Sequence, residues 1–586
     1  MNGMISKASL ALTAMALVLA SCASDDSDLD QGGYYNGGQG GSGSTAADFG
    51  ELTAFAIAID ESNLQETETI DPEDEDYVEN NSFAQAVSIT FSGSSAVVGT
   101  LPDGVTATVD GADVVVSSTV GGVNYVVSGS TTDGMLKIYS EKKYQLTLNG
   151  IDITNLDGPA VNLQSGKRCY VVLTDGTVNT LTDGTSYAES EEDQKGALFS
   201  EGELLFSGSG KLRVYGNTKH GIASDDYILF RPGNNVYVRS TAGNCIKAND
   251  GIFVRGGVIN VETSATAAKG LSSDADIVVS GGRITAITTG NGEYDTDEQD
   301  CSGAAGMKAD GSLTISGGAV YCKSTGSGGK GINVDGEATL SGGTVRVITT
   351  GGTFTYGSTD SKPKGIKVDG NLYLSGADIM VRTTGDSGSE GIESKAEMHI
   401  TGGTVQVYAY DDALNTASHL YAAGGTVLAY SVNNDGIDTN GNLYMQGGNV
   451  VAYGMKSPEC GIDANEEEGY TVVFEGGNLM AIGAGNSQPS SSSGSTQGFI
   501  STQASFGAGI TATVSDGSTT LATFSLPAAV SGASVLVTAS GMKAGSKYTL
   551  AMGSASASLT ASQYGTGGMN QGPGGQGGNP GMPPGF

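Results

Sequence analysis

The sequence predicts an all-β chain built as a parallel β-helix with a small C-terminal β module. Three observations carry that expectation. Composition is the first: of 586 residues 93 are Gly and only 12 are Pro, with 38% hydrophobic residues, much of it Val, Ile and Leu. Such a chain is rich in turns and short strands, lacks the Gly-X-Y period of collagen, and holds too much apolar residue for wholesale disorder. The second is an internal repeat. Gly270-Leu271-Ser272-Ser273-Asp274, Gly306-Met307-Lys308-Ala309-Asp310, Gly331-Ile332-Asn333-Val334-Asp335 and Gly365-Ile366-Lys367-Val368-Asp369 align, followed by copies at Gly391, Ala413, Gly436 and Gly461 and preceded by copies near Gly158, Gly196, Gly221 and Asn244. Third, each copy runs on into an apolar strand, a Gly-Gly or near equivalent and a second strand, as in Leu313-Thr314-Ile315-Ser316-Gly317-Gly318-Ala319-Val320. A strand–turn–strand unit recurring about every 24 residues is one coil of a β-solenoid. Twelve copies stacked about 4.8 Å apart predict a rod on the order of 55 Å long.

Taken in order, residues 1–22 read as an export signal: Lys7, the apolar run Ala8–Ala20, and Leu19-Ala20-Ser21-Cys22, which resembles a bacterial lipobox with Cys22 as the lipidated residue. No later run is long and apolar enough for a spanning helix. Residues 23–85 read as a flexible acidic, Gly-rich tether. Its start, Ala23-Ser24-Asp25-Asp26-Ser27-Asp28, looks like the acidic signal of Bacteroides-type lipoproteins displayed on the outer face of the outer membrane. The β-helix is expected over 86–500, with N-terminal strands over 86–150 punctuated by Asp103-Gly104, Asp110-Gly111 and Asp133-Gly134 turns. A β module over 501–560 is placed to cover the open end of the solenoid, and 561–586 is a Gly/Pro-rich tail expected to be disordered.

Charge narrows the partners. With 28 Lys+Arg against 63 Asp+Glu the net charge is -35, which disfavours nucleic acid and anionic lipid surfaces and favours cations. Trp is absent, so the best stacking platform for a sugar face is missing, although 24 Tyr remain. Beyond Cys22, the cysteines Cys169, Cys245, Cys301, Cys322 and Cys460 fit no disulfide framework or metal pair. They read as buried core residues, with a Cys301–Cys322 bond as the alternative. His220, His399 and His419 are too scattered for a metal or nucleophile constellation.

Side chains alternate along a strand, so the ladder Ile222, Ile246, Leu271, Met307, Ile332, Ile366, Ile392, Leu414, Ile437 and Ile462 is expected to point inward, with the anchor and the second and fourth positions after it pointing outward. The outward flank then changes from basic (Lys308, Lys330, Lys364, Lys367) to acidic: Glu390 and Glu393, then Asp411, Asp412 and Asn415, then Asn434, Asp435 and Asp438, then Glu459 and Asp463. Carboxylates on adjacent coils about 4.8 Å apart stand at twice a Ca²⁺–oxygen distance, so two coils could share one ion; the alternative is a solvated acidic face. Asp274, Asp310, Asp335 and Asp369 read instead as turn formers, and the acidic inserts Glu189–Asp193 and Glu293–Asp300 as solvated loops.

The run Tyr144-Gln145-Leu146-Thr147-Leu148-Asn149-Gly150, the segment Leu173–Gly184, the Gly208-Ser209-Gly210-Lys211-Leu212 turn and His220-Gly221-Ile222-Ala223-Ser224-Asp225-Asp226 closely resemble the bacterial carbohydrate-binding-domain family of exported, pectate-lyase-like proteins. The resemblance implies a right-handed β-helix, bound Ca²⁺, and binding of acidic, pectin-like plant polysaccharide. It also implies a likeness to family nine polysaccharide lyases, whose calcium is held by an Asp-Asp-x-x-Asp arrangement plus an aspartate of the preceding coil. Asn434-Asp435-Gly436-Ile437-Asp438 with Asp411 approximates that pattern, and Asp411-Asp412-Ala413-Leu414-Asn415 does so one coil earlier, with Asn in place of one Asp in each. The expected metal ligands are therefore Asp411, Asp412, Asn434, Asp435, Asp438, Glu459 and Asp463, and the expected glycan contacts Lys367, Glu390, Glu393 and Asn415. The expectation is a surface-exposed, monomeric lipoprotein that holds glycan through Ca²⁺. A Ca²⁺-dependent lyase, with Lys395 or Lys456 as the nearby candidate bases, and an adhesin or structural surface protein are the alternatives.

Overall fold

Each repeat folds as one coil of three short strands, and its apolar positions explain why. In the computed structural model, which describes residues 50–62, 64 and 66–565, one coil runs Ala305–Ala309, Leu313–Ile315 and Ala319–Ser324, and the next Lys330–Val334, Ala338–Leu340 and Thr344–Thr349. Cys22, the export signal, the start of the tether and the tail from 566 onward lie outside the described residues. Successive coils pair in parallel and in register, Met307 with Ile332, Leu313 with Ala338 and Val320 with Val345. The first strands stack into a fifteen-stranded sheet and the second and third into a twenty-eight-stranded one, giving a parallel β-solenoid of about 15 turns. The twelve copies of the repeat supply twelve strands of the first sheet. Val105–Asp110, Asp113–Ser118 and Met135–Ser140 precede them and extend it at the N-terminal end.

The Gly-Gly corner is set by backbone geometry. Gly343 has φ +75°, and a Cβ there would lie 2.6 Å from the carbonyl oxygen of Gly318 on the coil before; only glycine fits both demands. The anchor glycines differ from the expectation. They face the core, not solvent: a Cβ on Gly331 would sit 2.1 Å from Cγ1 of buried Val347, and on Gly391 2.1 Å from Cγ1 of Val407. The chain bends at this position, so simple alternation fails for one residue. The anchor and the Ile/Leu/Met after it both face inward, while the residue before the anchor and the second one after it face out. The Ile222-to-Ile462 ladder is buried throughout, in one apolar core continuous along the rod.

Residues 50–62, 64 and 66–83, read from composition as solvated tether, lie along the solenoid instead. Leu52, Ile57 and Tyr77 are buried, and the acidic side chains meet arginines of successive coils. Asp60 pairs with Arg283, Glu61 with Arg213, Glu68 and Glu79 with Arg231, Asp74 and Asp76 with Arg255, and Asp76 also with Arg168, all at 2.7–3.3 Å. Glu66 accepts backbone amides from Gly257 (2.7 Å) and Gly282 (2.9 Å), and Arg231 lies 4.4 Å from the Tyr77 ring centroid. The arginines are about ninety to more than two hundred residues away in sequence, so the charge run alone gave no sign of them. Arg231→Gln should leave Glu68 and Glu79 facing each other without a counter-charge. The expected loss is about 2 kcal/mol, less than for a sealed pair because Glu79 is half exposed; limited proteolysis should then cut faster within residues 60–79.

At the other end, Val530–Thr538 pairs antiparallel with the last coil's Asn478–Gly483 and with Phe499–Phe506. A four-stranded antiparallel sheet packs beyond it around Tyr453, Phe524 and Tyr548, so the terminal strand edge is covered. Cys169, Cys245 and Cys322 are buried and Cys301 and Cys460 partly so, and all five are free thiols. The Cys301–Cys322 bond is not formed; Cys301 Sγ lies instead 3.2 Å from Thr359 Oγ1.

Candidate functional site

The outward positions of the fifteen-stranded sheet line up as the sequence orders them. Lys308 pairs with Asn333, Asn333 with Lys367, Lys367 with Glu393, Glu393 with Asn415, Asn415 with Asp438 and Asp438 with Asp463. The flank thus passes from basic to acidic within the described coils, and each stretch behaves differently.

In the basic stretch and at the junction, Lys308, Lys364 and Lys367 have carboxylate partners, whereas Lys330 donates to Ser361 Oγ and the Gly328 carbonyl. Lys308 pairs with Asp310 and Asp335, and Lys367 with Asp369, so the turn aspartates are counter-ions as well as turn formers. Lys364 is buried against Glu390 and Glu393, and Glu393, 2% exposed, also holds Lys395. Burial pushes the Lys364 ammonium down to about 8. Of the four expected glycan contacts, Glu390 and Glu393 are therefore buried ion-pair partners. Lys367 is engaged by its own turn, and Asn415 belongs to the acidic cluster.

In the acidic stretch, counter-charge gives out. Carboxylate oxygens of Asp435, Asp438 and Asp463 all lie within 4.8 Å of one another, from two adjacent coils. Asp435 is buried and the other two partly so. Asn415 explains why convergence occurs here and not one coil earlier. Its amide nitrogen donates to Asp412 (3.1 Å) and Asp438 (3.3 Å), placing a donor where an aspartate would have been another acceptor. Asp412 also accepts the Asp435 amide at 2.9 Å, and Asp411 accepts the amide of Gly388 on the preceding coil. Asp411 is thus turned toward earlier backbone, and Asp463 completes the group in its stead, its Oδ1 fixed by the Ser487 hydroxyl at 3.0 Å. Ser487 carries no metal-like spacing and was not legible in the repeat. The backbone N–H of Asn434 donates to the Ser431 hydroxyl at 2.9 Å, and Glu459 flanks the cluster, half-buried.

The electrostatics follow. Burial, reinforced by Asp412, Asp463 and Asp438, pushes Asp435 up to about 8. Burial with Asp438 and Asp411 pushes Asp412 up to about 7, and burial with Asp463 and Asp411 pushes Asp438 up to about 6. Asp463 and Glu459 are raised as well, chiefly by burial. Neighbouring negative charge held out of water either binds protons or calls for a cation. The three converging donors are all carboxylate oxygen, with no imidazole or thiolate in the group, so the set fits a hard divalent ion such as Ca²⁺.

The histidines stay out of this cluster. His399 stacks between Tyr373 and Tyr421, with ring centroids 5.1 and 4.7 Å away, and His419 meets Tyr421 and Tyr444 edge-on.

Comparison with known proteins gives this architecture a family. The family described as carbohydrate-binding domain-containing protein matches residues 110–269, 263–352, 327–432 and 389–561, its overlapping matches following the repeat. The chain belongs to this family. A carbohydrate-binding domain-containing protein of Acetivibrio thermocellus is 30% identical over 112 residues, 18% of this chain, and the chain spans only 39% of that relative's length. Among solved structures, a polysaccharide lyase-like protein from C. thermocellum, determined as a gadolinium derivative, aligns with 52% of this chain and 99% of its own length, at 19% identity and a TM-score of 0.30.

Proposed function

We propose that this chain is a surface lipoprotein, anchored through Cys22 on the outer face of the outer membrane, that binds an acidic, pectin-like polysaccharide in a Ca²⁺-dependent manner. Family membership supports carbohydrate as the ligand class. The observation that carries the calcium part is the convergence of Asp435, Asp438 and Asp463 in a partly buried site whose neighbouring charges are other carboxylates. These three side chains would hold the ion, Asn415 and Ser487 fix the orientation of two of them, and Asp412 positions the backbone of Asp435. Bound there, Ca²⁺ supplies a positive centre for uronate carboxylates that a chain of charge -35 would otherwise repel. Neither sequence-proposed base is free beside the cluster: Lys395 is paired with Glu393, and Lys456 donates to Asn433 at 2.7 Å. Binding is accordingly preferred to lyase chemistry. Calorimetric titration with oligogalacturonate in Ca²⁺ and in chelator tests the reading: heat confined to the Ca²⁺ experiment is expected, and binding that survives chelation would overturn the mechanism.

The raised carboxyls also give a pH dependence with a definite sign. A carboxyl whose folded pKa lies above its unfolded value of about 3.9 costs stability as pH rises between the two. Asp438, Asp412 and Asp435, at about 6, 7 and 8, therefore make the metal-free fold progressively less stable from pH 5 to pH 8. Melting in chelator should occur at higher temperature at pH 5 than at pH 8, and added Ca²⁺ should raise Tm more at pH 8, where fewer protons must leave. The same melting difference in Asp435→Asn would assign the effect elsewhere.

A further inference from the structure

Two hairpins interrupt the repeat on one side of the rod, and the cluster described above gives them no task. One pairs Glu293–Asp295 with Asp300–Ser302, the other Phe354–Tyr356 with Thr359–Ser361. The first was expected from its charge to be a solvated loop. Both are pinned at the base. Lys269 donates to Ser302 Oγ (3.3 Å) and the Ala267 carbonyl, and Lys330 to Ser361 Oγ (2.8 Å) and the Gly328 carbonyl (3.2 Å). These lysines occupy one register position of the fifteen-stranded sheet, continued by Lys364 on the next coil. Farther along, the residues before each anchor are Glu390, Asp412 and Asp435. The hairpins thus stand as a wall beside the track that leads to the carboxylates.

The wall carries an aromatic pair. Tyr294 and Tyr356 stack with centroids 4.3 Å apart and planes 21° from parallel, although their hairpins arise two coils apart. Cys301 and Thr359 touch beneath them, and the carboxylate of Asp295 accepts the amides of Asp297 and Glu298 to fix the first tip. Tyr294 covers one face of Tyr356, yet Tyr356 remains 57% exposed, more than the other exposed large aromatic among the described residues, Tyr470 at 39%. A ring held by stacking with its other face open is pre-organised for a flat apolar ligand surface. In a chain without Trp, this is the arrangement that meets the C–H face of a pyranose.

We propose that Tyr356, backed by Tyr294, is a platform for a sugar ring of the same polysaccharide chain that reaches the Asp435–Asp438–Asp463 cluster. This rests on the glycan-binding reading above and adds a second contact to it. From the coil of Lys364 to that of Asp435 is three steps, about 14 Å at the spacing of adjacent strands, so the two contacts together require a saccharide chain of several linked rings and not a mono- or disaccharide.

Affinity electrophoresis through gels containing polygalacturonate or a neutral plant polysaccharide, in Ca²⁺, tests it with the full chain, Tyr356→Ala, Tyr356→Phe and Asp438→Asn. Tyr356→Ala is expected to weaken retention about tenfold and Tyr356→Phe to preserve it, with mobility in plain gel and Tm unchanged. Retention by Tyr356→Ala equal to that of the unaltered chain overturns the platform; if Asp438→Asn is then released, the calcium site stands without it. Loss in Tyr356→Ala with retention in Asp438→Asn keeps the platform and overturns the calcium reading. No retention of the unaltered chain in any gel overturns both.

Discussion

Ca²⁺ is expected to raise the melting temperature of the unaltered chain and to leave that of Asp438→Asn unchanged. Asp438 is the central member of the cluster: it is paired in register with Asp463, accepts from Asn415, and lies on the coil of Asp435. A ligand at a hundred times its dissociation constant stabilises a fold by about 2.7 kcal/mol, and that increment is what the substitution should remove. The isosteric amide keeps the packing and removes one of three converging charges, so metal-free Asp438→Asn should melt at or above the metal-free unaltered chain at pH 8. A merely structural aspartate gives the opposite result, a lower Tm with or without metal. Asp310→Asn serves as the control, since its exposed carboxylate pairs with Lys308 and should leave the calcium response intact. Calorimetry with polygalacturonate should show the loss of binding in step with the loss of the melting shift. A calcium response in Asp438→Asn equal to that of the unaltered chain would remove the cluster from consideration.

The largest stability effect is expected from the smallest substitution. In Gly365→Ala the new Cβ would lie 2.3 Å from Val381 Cγ1 and 2.4 Å from the carbonyl oxygen of Gly391. The valine could change rotamer, but the carbonyl belongs to the next coil's hydrogen-bonded ladder and cannot withdraw without opening it. Overpacking of this kind costs about 3 kcal/mol. Because each coil is held mainly by its neighbours, the damage should spread as local opening around residues 365–391 and appear there as lost amide hydrogen-exchange protection. Gly166→Ala, where nothing lies within 4 Å of the added atom, should be close to neutral. Equal Tm values for the two variants would mean that the anchor glycines are not packed as described.

The repeat was readable because a solenoid writes its coil into the sequence at fixed intervals: the Ile332 and Ile366 ladder, the Gly-Gly corners and the acidic end of the flank all follow from spacing. What spacing could not show was direction at the bend. Alternation assigned Gly331 and Gly391 to the outside, where a turn of the backbone in fact drives them against Val347 and Val407. Nor could it rank the carboxylates. Asp411, two residues before its anchor, and Asp463, two after its own, were both candidate ligands by spacing, and only the Asn415 amide and the Gly388 N–H, which bring in neighbouring coils, decide that Asp463 joins the group. The acidic stretch before residue 85 was misread for the same reason. Its meaning lies in arginines more than a hundred residues away, whereas composition records only local charge.

That stretch has a mechanical consequence. The short helix Gly50–Ala54 touches strands Asp378–Thr383 and Thr404–Ala409. The chain then runs back past Arg283, Arg231 and Arg168 before its first strand begins at Gln85. A pull applied at Gly50 would therefore enter the rod at the eleventh and twelfth of its coils and be shared, as shear, by ion pairs on several earlier coils at once. It would not peel the first coil away from the second. Load entering there would be spread over the ion-paired coils and would not fall on one coil boundary.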